Sequence, residues 1–238
     1  LVATRAPNGS WSRTAMSLPD NVSTNVAGTN PKTNEAFISV TGFLTPSSIW
    51  FADAARGTAS QLKTLAPRFD ASHAVVEQME ATSKDGTKIP YFIVHPKSMA
   101  RDGANPTILY AYGGFNASMT PRYDPDVGKL WVEQGGVYVL ANIRGGGEFG
   151  PAWHDAGLKT RRQVIYDDFA AVAEDLIAKK ITSPRHLGIQ GGSNGGLLMG
   201  VQFTQRPELW NAVDIQVPLL DMLRFEKIQA GASWVGEY

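Results

Sequence analysis

The chain has 238 residues, 43% of them hydrophobic, and Lys+Arg and Asp+Glu both total 22, so its formal charge is zero. That balance argues against a nucleic acid or an anionic membrane surface as partner, because both are bound through an excess of positive charge. No cysteine is present, which excludes disulfides, thiolate catalysis and cysteine-based zinc sites.

No apolar stretch approaches the roughly 20 residues of a membrane span. The opening Leu1-Val-Ala-Thr-Arg5 lacks the charged-then-apolar pattern of a signal peptide. The expectation is a soluble protein, with cytoplasm and periplasm equally compatible.

Residues 1–66 read as an all-β segment. Short alternating runs at Trp11 to Met16, Ala36 to Thr41 and Ser48 to Asp53 are separated by turn-forming clusters such as Asn8-Gly9 and Thr29-Asn30-Pro31. Four such strands make one propeller-like blade, which buries its faces only against neighbouring blades. A turn-rich bridge from Ala55 to Asp70 follows. Residues 67–238 then change pattern. Val75 to Ala81 and Tyr91 to His95 predict a hairpin around Ser83-Lys84-Asp85-Gly86.

Beyond the hairpin, strands are expected at Thr107 to Tyr112 and Val137 to Ala141, and helices at Val127 to Gln134 and at about Gln163 to Lys180. The longer helix carries Val164, Phe169, Val172, Leu176 and Ile177 on one side, as an ordinary core helix does. A further strand is expected at Ala212 to Val217 and a helix from about Asp221. Strands alternating with helices imply an α/β fold with a mainly parallel sheet covered on both faces.

The run Gly191-Gly192-Ser193-Asn194-Gly195-Gly196 lies between a short apolar strand, Leu187 to Gln190, and a helix in which Leu197, Leu198, Val201 and Phe203 recur at spacings one face can bury. Strand, sharp turn and helix around a serine form a nucleophile elbow. Glycines at 191 and 195 supply the missing Cβ atoms that so tight a turn demands. The helix beginning near Asn194 aims its amides and its positive dipole end where an oxyanion would form.

The loop Tyr112-Gly113-Gly114-Phe115 follows the 107–112 strand, where hydrolases of this type build part of the oxyanion hole. Tyr112 is a candidate hydroxyl donor; equally, it is a strand-end aromatic with its hydroxyl in water. Gly145 to Gly150 spells a G-x-G-x-x-G, but Pro151-Ala152-Trp153-His154 follows with no apolar helical period, so a dinucleotide site is rejected. Arg144 and Glu148 are a candidate ion pair for that loop, as is a solvated arrangement. The histidines, 73, 95, 154 and 186, show no metal-ligand spacing. No cofactor and no metal are expected.

In this fold the triad order is Ser, then Asp or Glu, then His, and no histidine follows Ser193. An alcohol without an imidazole base is a weak nucleophile at neutral pH. The chain is therefore not expected to complete a triad by itself.

Three motifs, Tyr112-Gly-Gly-Phe115, Asn142-Ile-Arg-Gly-Gly-Gly-Glu-Phe-Gly150 and Gly191-Gly-Ser-Asn-Gly-Gly196, together with Asp221-Met-Leu-Arg-Phe225 and Trp234-Val-Gly-Glu-Tyr238, resemble the prolyl oligopeptidase family of serine peptidases. The resemblance implies an α/β-hydrolase fold, represented by the N-terminal part of its catalytic sheet and preceded by the last blade of a β-propeller. It implies Ser193 as nucleophile, the Asn194 amide and Tyr112 hydroxyl as oxyanion donors, and Phe115, Leu219, Trp234 and Tyr238 as the walls of a proline-binding pocket.

The expected substrate is a short proline-containing peptide, cut on the carboxyl side of proline through an acyl-enzyme. The expected partners are the remaining segments of the same longer polypeptide, which would carry the triad Asp and His, so this fragment alone is expected to be inactive. Two other readings stand beside it: an α/β-hydrolase of different specificity (an esterase, or an acylaminoacyl or dipeptidyl peptidase type), and a catalytically silent binding fragment.

Overall fold

In the computed structural model, which describes residues 1–238, Asn8-Gly9 turns the first strand back on the second. Gly9 takes the positive φ of +83° that this hairpin requires. β1 (Val2–Arg5) and β2 (Trp11–Thr14) pair antiparallel. Next comes a four-stranded antiparallel sheet in chain order, β3 (Val22–Thr29), β4 (Glu35–Gly42), β5 (Ser48–Asp53) and β6 (Thr58–Thr64).

β6 lies inside the stretch read as a turn-rich bridge. It is an edge strand, mostly exposed, with Gln61 and Lys63 among its residues. Backbone pairing to β5 holds it, so it shows little of the apolar alternation by which a strand is recognised in sequence.

These strands belong to a unit made of residues 1–71 and 120–129; the second unit comprises residues 72–119 and 130–238. Residues 120–129 rejoin the first unit through specific contacts. The Ser23 hydroxyl donates to the Pro121 carbonyl at 2.6 Å, and the Tyr123 ring stacks on Phe69 with centroids 5.1 Å apart.

The helix expected over 127–134 is instead a short turn, α1 (Pro125–Val127), capped by Asp124, followed by a π-helical turn over Gly128–Val132. A Cβ on Gly128 would stand 2.1 Å from the Phe69 ring. This close approach ties the start of the segment to the first unit, while Leu130 onward belongs to the second.

The second unit is built on a six-stranded mixed sheet. β7 (Ala74–Thr82) and β8 (Lys88–Pro96) form the expected hairpin. β9 (Thr107–Tyr110), β10 (Val137–Ala141), β11 (Leu187–Gly192) and β12 (Ala212–Gln216) complete the order β12-β11-β9-β10-β8-β7. Pairing is parallel from β12 to β10 and antiparallel from β10 to β7.

The register lines up Ile93, Val139, Leu109, Ile189 and Val213 in one row across five strands. The first four are at most 2% exposed. Burying each such side chain contributes about 1.5–3 kcal/mol, so the row fixes the register that presents the strand ends to the site.

Helix α2 (Pro151–Asp155) is short. Helix α3 (Gln163–Ala178) buries Phe169, Val172 and Leu176, while Val164 and Ile177 pack at its margin. Helix α4 (Asn194–Gln205) buries Leu197, Leu198 and Met199. Phe203, expected on that face, is 56% exposed, because at about 100° per residue it stands about 140° around the helix from Leu198.

No helix starts at Asp221. Residues 221–238 form turns and short 3-10 segments at Phe225–Lys227 and Gly231–Trp234. Gln229 has a φ of +48°, and Gly231 lies so close to the Phe225 carbonyl that any side chain there would collide. Both features interrupt α-helical geometry.

No helix of the protein is long and apolar enough to cross a membrane.

Candidate active site

β11 ends at Gly192, and α4 starts at Asn194, so the single residue Ser193 makes the whole turn between them. Its φ of +58° and ψ of −117° lie in a region that costs a non-glycine residue about 1–3 kcal/mol. Neighbouring bonds hold it there. The Ser193 N–H donates to the Gln216 carbonyl of β12 at 3.0 Å, and its own carbonyl accepts from the Leu197 N–H at 3.1 Å.

The flanking glycines are sterically required. A Cβ at Gly191 would stand 2.5 Å from the Gly195 carbonyl oxygen, and one at Gly195 would stand 2.9 Å from that of Ala111. Asn194 occupies the first helical position, where the amide has no intrahelical acceptor.

The Asn194 side chain, 1% exposed, is bonded at both ends. Its Nδ2 donates to the Tyr112 carbonyl at 2.6 Å. Its Oδ1 accepts from Arg162 Nη2 at 2.6 Å and from the Tyr238 hydroxyl at 3.0 Å. Burial pushes the Tyr238 phenol up from its ordinary value, so it stays protonated and donates.

Beside Ser193 opens a cavity of about 270 Å³, to whose lining Leu219 and Trp234 contribute together with Phe225 and Ile228. Phe225 stands edge-on to Tyr238 at 5.2 Å, and Tyr238 in turn edge-on to Phe115 at 5.7 Å. Phe115 is 6.5 Å from the Tyr112 ring and has a φ of +56°. The structure therefore gathers Ser193, Leu219 and Trp234 around one cavity. It joins Tyr238, Phe115 and Tyr112 to that cavity through a chain of ring contacts.

Asp221 also lines the cavity, a carboxylate in addition to the four pocket residues that the resemblance implies. Arg224 donates to Asp221 Oδ2 from Nε and Nη2, at 2.7 and 2.5 Å. The guanidinium holds the Asp221 carboxyl below its ordinary range, so it stays ionised with Arg224 as its counter-charge.

Sequence reasoning missed the polar layer around these residues. Arg162, 9% exposed, places its guanidinium carbon 4.4 Å from the Tyr238 ring centroid and pairs with Glu237 at 3.4 Å. Glu237, 6% exposed, accepts the Phe115 N–H at 2.8 Å and stands 2.9 Å from His154 Nε2. The only sequence signals are an arginine just before α3 and an acid beside Tyr238; nothing local pairs them.

The 145–150 loop packs against the 112–116 loop, with the Asn116 N–H donating to the Gly145 carbonyl and the Gly147 N–H to Ala117, both at 3.3 Å. Arg144 and Glu148, a candidate pair in sequence, turn to different partners. Arg144 grips the fully buried Asp168 through Nε at 2.8 Å and Nη2 at 2.5 Å, and reaches Asp85 with Nη1. Asp168 offers a planar bidentate acceptor in the interior. Glu148 instead accepts from the Met119 N–H at 2.8 Å and Asn142 Nδ2 at 3.3 Å.

A serine held on a strand-to-helix elbow at the end of a mixed α/β sheet, beside an apolar cavity, is the construction of the serine hydrolases. Residues 122–238 match the model of the prolyl oligopeptidase family. It is 59% identical over 230 residues to an uncharacterized peptidase of Sinorhizobium fredii, covering 97% of this chain and 32% of that protein. It is 40% identical over 224 residues to a prolyl endopeptidase of Elizabethkingia meningoseptica, covering 94% of this chain and 32% of that protein.

Among solved structures, a post-proline cleaving enzyme from Rickettsia typhi superposes with a TM-score of 0.84 at 45% identity, covering 98% of this chain and 34% of that one. The chain thus spans about a third of the length of the relatives it matches.

Proposed function

We propose that residues 67–238 supply the nucleophile, the oxyanion donors and much of the specificity pocket of a serine endopeptidase that cuts short peptides on the carboxyl side of proline. Residues 1–66 are, on this reading, the last blade of a propeller; the four-stranded antiparallel meander of β3 to β6 supports it. The observation that carries the proposal is Ser193 at a positive φ, beside a cavity that Leu219 and Trp234 line.

A prolyl side chain is apolar, flat-sided and lacks an N–H. An aromatic and aliphatic cavity whose one carboxylate already has Arg224 as its partner suits it better than it suits a basic residue. Ser193 Oγ attacks the carbonyl carbon as a histidine base takes its proton. The tetrahedral oxygen accepts from the Asn194 N–H and the Tyr112 hydroxyl. Collapse then expels the amine, which takes the proton from the imidazolium, and water releases the acyl group by the same steps.

No histidine follows Ser193 in the chain, and the matched relatives are about three times as long. On this reading the base and its carboxylate partner come from the longer polypeptide.

The test uses that longer protein, with fluorophosphonate labelling and hydrolysis of a Gly-Pro chromogenic peptide as readouts. Ser193→Ala abolishes both if the proposal holds; retained labelling and turnover would sink it.

A further inference from the structure

Arg162 and Glu237 have no part in the proposed chemistry, yet they lie beneath all of it. The two are 75 residues apart in sequence and both more than nine-tenths buried. A buried ion pair contributes little net stability compared with apolar packing of equal volume, so the contacts it fixes are the place to look for its role. Arg162 Nη2 holds Asn194 Oδ1, and Nη1 holds both the side chain and the main-chain carbonyl of Glu237. The guanidinium carbon lies over the Tyr238 ring. Glu237 Oε1 accepts the N–H of Phe115, whose positive φ depends on such an external restraint. Glu237 Oε2 meets His154.

We propose that Arg162 and Glu237 are positioning residues that couple the oxyanion hole to the wall of the specificity pocket. Arg162 sets the Asn194 peptide plane through its side chain, and Glu237 sets the Phe115 backbone. The proposal rests on the functional reading above, and the two fail separately.

Their losses differ in kind. An Arg162→Met protein loses the bond that orients the Asn194 amide while the amide itself remains, so kcat falls roughly 10- to 100-fold, less than the roughly 100- to 1,000-fold that removal of an oxyanion donor costs, while KM changes little. Glu237→Ala releases Phe115, so KM for a prolyl substrate rises and the preference for proline over alanine shrinks. Glu237→Gln keeps an acceptor for the Phe115 N–H and so recovers much of the proline preference that Glu237→Ala loses.

The experiment compares the full-length protein with these variants and with Arg162→Lys, reading kcat, KM, thermal transition and rate of fluorophosphonate labelling. The probe contains no proline, so its rate reports Ser193 and its oxyanion donors alone. Slower labelling in Arg162→Met, partial recovery in Arg162→Lys and further recovery of Arg162→Met by added methylguanidinium are expected, each read well below the variant's own thermal transition, which falls in Arg162→Met because Glu237 is left buried without its partner. If Arg162→Met does not fold, Arg162→Lys decides: labelling at the wild-type rate overturns the coupling. A wild-type protein that labels but ignores proline overturns the functional reading and leaves the labelling comparison standing. One that does not label overturns both.

Discussion

Asn194 Nδ2 donates to the carbonyl oxygen of Tyr112 at 2.6 Å, so the residue after the elbow serine is tied to the residue proposed as the second oxyanion donor. Replacing Asn194 with alanine leaves the Arg162 Nη2 and the Tyr112 carbonyl without this partner inside a buried layer. Each orphaned group costs about 1–3 kcal/mol. The expected result is a loss of that order in chemical denaturation with a kcat about tenfold lower. Unchanged stability would show that the layer readjusts freely.

Ser193 lies at a φ of +58°, a conformation that glycine adopts without a Cβ penalty. Ser193→Gly relieves about 1–3 kcal/mol of strain against about 0.5–1 kcal/mol of added chain entropy. It is therefore expected to match or exceed the wild-type midpoint in urea while losing all fluorophosphonate labelling. A clear drop in midpoint would mean that the elbow stores no strain.

Glu148 and Asp85 give pH dependences of opposite sign. Burial raises the Glu148 carboxyl above its ordinary value, and its Oε2 is buried without a hydrogen-bond partner. Its contribution is thus fully present below the unfolded pKa, about 4.3, and is lost as pH rises through the folded one. Glu148→Gln should gain on wild type as pH is raised from about 4 toward neutrality. The hydrogen bond from Arg144 holds Asp85 well below the usual carboxylate range. Its stabilisation is present above about pH 3.9 and is lost as pH falls through the folded value. Asp85→Asn should therefore lose least at the acid end. Urea midpoints across pH 3–7 check both signs.

Trp234 lines the cavity beside Ser193. Trp234→Ala is expected to reduce the kcat/KM preference for a prolyl over an alanyl substrate by about 10- to 100-fold, as loss of a large apolar contact implies. An unchanged preference would remove Trp234 from the pocket.

Spacing and composition were enough for features held by near neighbours. The 74–96 hairpin and the elbow at Ser193 announce themselves because alternation, turn glycines and helix periodicity act over a few residues. β6 and the 221–238 segment did not, for related reasons. β6 is held by main-chain pairing along an edge, and Gln229 and Gly231 bend a stretch whose composition tolerates a helix.

The serine and the aromatics that resemble a proline pocket were legible because their side chains sit in short motifs. Arg162, Glu237 and His154, like Arg144 with Asp168, were not. A charged side chain carries no periodic mark of its partner, and these partners come from segments many residues apart that meet only when the sheet register and α3 bring them together. Which serine turns the elbow is written in the residues on either side of it. Whether its proposed oxyanion donors are held in place is set by long-range packing, because in the interior a buried charge persists only where folding delivers its partner.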